Sequence, residues 1–324
     1  MTSQLTVAVH LAPTHRTESL AKDARAGLLA TPKTLPPVWF YDERGSLLFD
    51  EITRLPEYYL TRAERAILVA HAAEIATIAQ ADTLVELGSG TSEKTRLLLD
   101  ALQEAGTLRR FVPFDVSEEV LRDAATQISD AYRIPVDAVV GDFNQHLDRL
   151  PAGGRRLVAF LGSTIGNFAP AERRRFLFDL DAAMTVDDHL LIGTDLVKAP
   201  ERMLAAYNDA AGVTAAFNRN VLQVLNDELD GAFDPNAFEH LAVWNGTDSW
   251  IEMRLRSRVR QSVPLAKLGI RVDFAAGEEI RTEISAKFTP DQVEHELWAA
   301  GFVTEKCWTD PEGDFLLTLA RPYC

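Results

Sequence analysis

Sulfur is scarce in this 324-residue chain, and so is any excess of basic charge. The two cysteines, Cys307 and Cys324, are too few for a disulfide scaffold, so folding must rest on a buried apolar core. The seven histidines show no metal-ligand spacing and join no Cys/His cluster, so no metal is expected. No apolar run approaches the length of a bilayer span, and no membrane contact is expected. The N-terminal MTSQLTVAVHLAPTHRTES lacks a basic start followed by a long apolar stretch, so no secretory signal is expected and the cytoplasm is the default location. Acids outnumber bases, 48 to 33, giving a formal charge of −15. General affinity for nucleic acid or anionic lipid is therefore not expected. The short arginine clusters, Arg109-Arg110, Arg155-Arg156 and Arg173 to Arg175, are flanked by acids and read as solvated faces. Low-complexity tracts and internal repeats are absent too. What is present is a globular composition, 47% hydrophobic and 25% charged, long enough for one large or two modest domains.

The most informative stretch is LVELGSGTSEKTRLLLD, Leu84 to Asp100. Leu84, Val85 and Leu87 predict a buried strand, followed by Gly88 and Gly90; Thr91 and Ser92 offer a helix N-cap, and a helix is predicted from Lys94. Three nucleotide-binding loops share this outline. A phosphate-cradling P-loop needs glycine directly before the lysine, where Glu93 stands. A dinucleotide fingerprint needs a small residue three after the second glycine; Glu93 fails again and would repel a pyrophosphate. The remaining form, Glu-x-Gly-x-Gly-Thr, is typical of S-adenosylmethionine (SAM) methyltransferases. That ligand has no phosphate and carries a sulfonium cation, so carboxylates such as Glu86 near the loop are favourable.

From Arg62 onward strands and helices alternate. A long helix (Ala63 to Ala79) precedes strands Leu84 to Leu87, Phe111 to Val116, Val136 to Val140, Leu157 to Leu161 and His189 to Asp195. Helices Lys94 to Ala105, Glu118 to Tyr132 and Ala171 to Met184 separate them. Apolar, non-alternating strands joined by helices predict a mostly parallel sheet covered on both faces. After Lys198 the pattern changes to helix over Pro200 to Glu228, around a polar turn at Asn218-Arg219-Asn220. Alternating strands then follow in WIEMRLRSRVRQSV, GIRVDF and RTEISAKF, a sheet with one wet face. At Thr289 an N-cap, Pro290 and a capping-box Gln292 start a helix to Ala300, and a final strand pair follows. The predicted fold class is α/β, a Rossmann-like class I SAM methyltransferase sheet with a terminal antiparallel strand, plus a second α+β domain. The expected SAM-binding domain spans 63–198 and 289–324. The expected substrate domain is discontinuous, 9–62 plus 199–288, and includes an aromatic, proline-rich segment read as irregular with short helices.

Ligands of open α/β sheets sit beyond the carboxyl ends of the strands. That rule selects Gly88 under the methionine part of SAM, Asp115 for the ribose hydroxyls, and Asp142 with Phe143 at the adenine edge. Ser117 suits the N-cap ahead of SEEVLRD better than Asp115 does. Lys94 is either a donor to the methionine carboxylate or a solvated helix residue. In FLGSTIGNF, Asn167 is either a backbone cap or a substrate ligand. Glu283 and Ser285 lie two apart on one strand face, where an acid and an alcohol match the N–H and the bare nitrogen of a neutral imidazole. The alternative for Glu283 is a solvated residue paired with Lys287.

EYY (Glu57 to Tyr59), VELGSGTSEKT, PFDV, GDF, FLGSTIGN, AAYNDAAGVTAAFNRNVL, IEMRLR and AGEEIRTEISAKF together resemble the bacterial histidine Nα-methyltransferases of ergothioneine biosynthesis, over roughly residues 18 to 321. The resemblance implies three SAM-dependent methylations of L-histidine to hercynine by a monomer, with no metal. It also implies that Tyr58, Asn167 and Tyr207 hold the substrate carboxylate. Glu283 and Ser285 would bind the imidazole, with Thr214 and Met253 lining that pocket. Tyr41, Phe49 and Gly162 would surround the amine and the methyl path, Tyr41 orienting the amine. Two residues depart from the family pattern, Asn208 for Asp and Ala286 for Cys. The rivals are the same chemistry on another amino acid such as a tryptophan derivative, a non-catalytic SAM-binding sensor, and a nicotinamide-dependent oxidoreductase.

Overall fold

A computed structural model describes residues 5–11, 14–90, 92 and 94–323. The chain forms two compact units. The first contains the N-terminal strand, Leu60–Leu196 and the chain from Phe288 onward. The second contains the chain from after the N-terminal strand to Tyr59, and Val197–Lys287. Among the described residues, no helix is long and apolar enough to cross a membrane.

The first unit is built on an eight-stranded sheet. Across it run Leu5–Val9, Val136–Val140, Arg110–Asp115, Thr83–Leu87, Arg156–Phe160 and His189–Asp195, all parallel. Phe315–Pro322 then runs antiparallel beside the His189 strand, with Phe302–Thr309 outside it. Every residue of the Thr83, Arg156 and His189 strands is buried, as their unbroken apolar runs require when helices cover both faces. The sequence leaves Thr83–Leu87 with its next strand on one side and a later one on the other. This is the topological switch point where ligands of such sheets bind, and Gly88 follows it directly.

Several local readings are corrected. Leu5–Val9 is an edge strand of this sheet, so the sheet gains one strand beyond the seven expected; its five exposed or half-exposed residues gave too weak an alternation to mark it. Arg156 and Arg173 are not solvated. Arg156 is buried against Asp188, at 2.6 Å, and Arg173 against Glu296, at 2.5 Å. Thr289 does cap its helix through the Gln292 amide. Gln292, however, donates to Glu296 (2.9 Å), so its side chain is spent along the helix rather than on the N-cap.

The second unit carries a four-stranded sheet, in the order Lys33–Thr34, Glu279–Ala286, Trp250–Ser257 and Phe238–Asn245. A separate hairpin pairs Gln261–Leu265 with Ile270–Phe274. Ile251, Met253 and Leu255 are buried as their alternation predicts, but Glu252 on the other face is buried too. It accepts from Trp250 Nε1 and Arg254 Nε, both at 2.8 Å, so charge pairing has replaced the expected wet face there. The aromatic segment folds as a short 3-10 turn, Pro37–Phe40, and a helix, Glu43–Arg54, capped by Asp42 through the Gly45 amide. The helical stretch after Pro200 breaks at Asn208, not at Asn218. Its halves are Pro200–Tyr207 and Val213–Leu229, and Gly212 makes the turn with φ +75°. Asn218 sits inside the second helix. It is buried, donating to His240 (2.8 Å) and to the Arg254 carbonyl, and accepting from Thr282. Those partners, with the bond from Asn220 Nδ2 to Asp42 (2.7 Å), let two asparagines stand where propensity favours a turn.

Candidate active site

In the first unit the glycine loop is organised from beneath by one acid. Glu86 is buried and accepts from Ser89 (2.8 Å), Ser92 (3.1 Å) and Thr95. Burial pushes its carboxyl up to about 7 even though the Thr95, Ser89 and Ser92 hydroxyls oppose the rise. Ser92 is therefore committed to Glu86 and caps nothing; the helix begins at Thr95. Thr91 and Glu93 lie outside the described residues. Gly88, at φ +72°, turns the chain in the left-handed region that favours glycine. Among the described residues a Cβ there would meet only Phe143, at 3.9 Å, so the backbone of Gly88 lies open beside that ring.

Asp115 ends its strand and accepts from the Gly90 amide (3.0 Å) and the Ser117 amide (2.9 Å). Ser117 takes the N-cap position, as expected, but its hydroxyl makes no capping bond, and its own amide goes to Asp115. Burial raises the Asp115 carboxyl above the usual range against these amides. A carboxylate has about four acceptor positions, so each oxygen can still accept from a ligand. Asp142 closes its own turn, accepting from the Asn144 amide (2.9 Å), the Asn144 side chain (3.0 Å) and Gln145 (2.7 Å). Phe143 packs edge-on against Phe160, Phe168 and Phe176.

Glu64 was not singled out by the sequence reading. It is wholly buried on the Tyr59–Ala79 helix, pairs with Lys94, and accepts from the Gly162 amide (2.7 Å). Lys94 Nζ also lies within 3.7 Å of where a Gly162 Cβ would be. Lys94 and Gly162, predicted separately, thus meet through Glu64. The only sequence signal is a charged residue at an inward position of a long helix. Asn167 closes the short Thr164–Asn167 turn of this same unit.

The second unit gathers the other candidates. Aromatic rings run in contact from Tyr41 to Phe49 (centroids 5.6 Å), Phe49 to Tyr58 (6.2 Å) and Tyr58 to Tyr207 (6.3 Å). Phe217, overlooked in the sequence, packs against both Tyr41 and Phe49. Tyr207 and Ser285 share a hydrogen bond of 2.7 Å. Lys287, in the alternative reading the partner of a solvated Glu283, is 1% exposed and donates to both hydroxyls at 2.9 Å. Glu283 pairs in register with Met253 on the neighbouring strand. Burial pushes the Glu283 carboxyl up to about 7, with Lys287 opposing the rise. Thr214 is buried, and its amide donates to Asp209 (2.7 Å); no described contact ties it to Glu283. Gly162 and Asn167 belong to the first unit, and Tyr41, Phe49, Tyr58, Tyr207, Thr214, Met253, Glu283 and Ser285 to the second.

The parallel sheet with one reversed strand, and the glycine turn with acids at successive strand ends, define the class I SAM methyltransferase fold. Comparison with known proteins narrows the class. The model of the family "Histidine-specific methyltransferase, SAM-dependent" matches residues 20–322, and the chain belongs to that family. It is 58% identical over 317 residues to the histidine N-alpha-methyltransferase of Mycolicibacterium smegmatis, covering 98% of this chain and 99% of the relative. The histidine N-alpha-methyltransferase of Mycobacterium tuberculosis is 56% identical over 318 residues, with the same coverage. Ergothioneine biosynthesis protein 1 of Neurospora crassa is 36% identical over 201 residues, 60% of this chain and 23% of the relative.

Proposed function

We propose that this chain methylates the α-amine of L-histidine three times at the expense of SAM, giving hercynine, the first step of ergothioneine biosynthesis. It acts as a cytoplasmic monomer on a small-molecule substrate and uses no metal. One observation carries the substrate assignment beyond family membership. Glu283 is a half-buried carboxylate with no hydrogen-bond partner among the described residues, on the strand face shared with Ser285. An imidazole N–H supplies what that acid lacks, and an indole could not also use the neighbouring hydroxyl as a partner for a bare ring nitrogen.

The cofactor loop fits SAM on its own geometry. Gly88 leaves open backbone where the methionine part would lie, and Asp115 keeps acceptor capacity for the ribose. Lys94, held by Glu64, reaches toward the methionine carboxylate, and Asp142 and Phe143 bound the adenine. When bound, SAM supplies a methyl group made electrophilic by its sulfonium. The chain's own work is to bind the amino acid, orient its nitrogen and take up the ammonium proton. Tyr58, Tyr207 and Asn167 hold the substrate carboxylate, Thr214 and Met253 line the ring pocket, and Tyr41 orients the amine. Exposing the lone pair costs about 1.4 kcal/mol for each pH unit below the amine's pKa, small beside what positioning supplies. Gly162 and Phe49 leave the nitrogen room for added methyls.

Incubation of the protein with SAM and each of the twenty amino acids, followed by product masses, tests the reading. Histidine alone should gain methyl groups, up to three. A tryptophan product, or none from histidine, would overturn it.

A further inference from the structure

Two residues assigned to SAM and to the methyl path meet on an acid that the scheme above leaves without a chemical task of its own. Glu64 is 0% exposed; its Oε1 accepts from the Gly162 amide (2.7 Å) and its Oε2 from the Lys94 ammonium. The strand His189–Asp195 makes room for it at Gly193, where a Cβ would come within 2.3 Å of Oε1. All four residues belong to the first unit. Resting on the reading that Lys94 meets the methionine carboxylate of SAM, we propose that Glu64 is a positioning residue. Its charge draws the Lys94 ammonium inward to where that carboxylate binds, and so sets the affinity for the amino-acid end of the cofactor.

A buried carboxylate is costly unless it is paired, and the Gly162 amide needs only a neutral acceptor. A glutamine would serve that amide at a lower desolvation cost, so the charge and the second oxygen of Glu64 go to Lys94. Lys94 in turn stands where local electrostatics disfavours it. It occupies the N-cap of the Thr95–Glu104 helix without a capping bond, and the positive end of a helix dipole repels a cation. Ser, Thr, Asp or Asn would suit that position better. A lysine there, left to itself, would extend into water. Instead its head turns to a wholly buried acid while its side chain stays 24% exposed. Glu86 is the other acid of this loop, but Ser89, Ser92 and Thr95 take its oxygens. An ammonium has three protons, and among the described residues Glu64 alone accepts from Lys94. The other protons can go to a ligand carboxylate.

Calorimetry on the full-length protein with two ligands separates positioning from support of the fold. S-adenosylhomocysteine carries the amino-acid end; 5′-methylthioadenosine keeps the adenosine and lacks that end. In E64Q the side-chain oxygen still accepts from Gly162, while the NH2 group that faces Lys94 cannot accept from it. S-adenosylhomocysteine should bind roughly tenfold to a hundredfold more weakly, with methylthioadenosine binding unchanged. Undiminished S-adenosylhomocysteine binding, or an equal loss for both ligands, overturns the proposal. K94M should show the same selective loss, and E64Q/K94M should bind no more weakly than K94M, because Glu64 acts through that lysine. A further loss in the double variant overturns the proposal too. The wild type supplies a measurement that does not depend on how the variants fold. A crystal structure with S-adenosylhomocysteine should place Lys94 Nζ within hydrogen-bond reach of Glu64 and of the ligand carboxylate together. An ammonium bonded to the ligand but turned away from Glu64 overturns the proposal. If K94M leaves the preference between the two ligands as it was, the Lys94 reading itself has failed and the proposal falls with it, a result distinct from failure at Glu64 alone.

Discussion

Glu86 and Glu283 are both withdrawn from water and both pushed up to about 7 by burial, yet they do opposite work. Glu86 is surrounded by loop hydroxyls, which spend its acceptor capacity on the shape of the glycine turn. Glu283 has only the charge of Lys287 to oppose its burial. The contrast extends to the units that hold them. In the first, Asp115 and Asp142 also accept bonds from their own turns, so these strand-end loops are preorganised by internal bonds. In the second, a half-buried carboxylate has no such bonds among the described residues, so its lost hydration is not offset there.

The contrast can be broken most directly by Glu283→Ala. Loss of a charged hydrogen bond of about 1.5–3 kcal/mol should raise the histidine KM roughly tenfold to a hundredfold, while SAM affinity measured by calorimetry stays as it was. An unchanged KM would remove Glu283 from the ring pocket. Asp115→Ala should do the reverse, weakening SAM by about tenfold or more and loosening the Gly90 turn. Normal cofactor affinity in that variant would reject the ribose assignment.

Glu283→Gln sharpens the comparison through stability. A carboxyl whose folded pKa is raised favours folding below its unfolded value of 4.5, and that contribution is lost as pH rises through about 7. The amide removes this loss, so the ligand-free variant should be more stable than the wild type at pH 8, by about 1–3 kcal/mol. The gain should vanish near pH 4, and thermal melts across that range decide the matter; a variant no more stable at pH 8 would show that burial of this acid has no cost. The smallest effect belongs to Gly88→Ala. A left-handed backbone costs a Cβ-bearing residue about 1–2 kcal/mol, which should appear as a few-fold loss of SAM affinity together with a slightly lower Tm. A variant matching the wild type in both would show the turn to be unstrained.

Much of the first unit was legible because its signals are local. An apolar strand, two glycines and the acids Glu86, Asp115 and Asp142 near three successive strand ends lie in contiguous segments, and the strand-end rule converts them to a candidate site. What stayed hidden there depends on partners far along the chain. Glu64 meets Gly162 across 98 residues, and the Leu5–Val9 strand is defined by Val136–Val140, not by its own pattern. In the second unit the spacing of Glu283 and Ser285 predicted a shared face. It did not reveal that Lys287, two residues on, is buried, nor that Asn218 sits mid-helix rather than in a turn.

The sequence by itself determined the parallel sheet, the glycine turn, the acids at the strand ends and the pairing of an acid with an alcohol on one strand. Each follows from backbone geometry and periodicity within a few residues. Tertiary structure alone decided which of the many charged groups lost their water. Loop hydroxyls converge on Glu86, two hydroxyls take the ammonium of Lys287, and Glu283 is left with an acceptor to fill. The reason is that desolvation depends on what the rest of the chain packs against a side chain, and no spacing along one strand or helix encodes that.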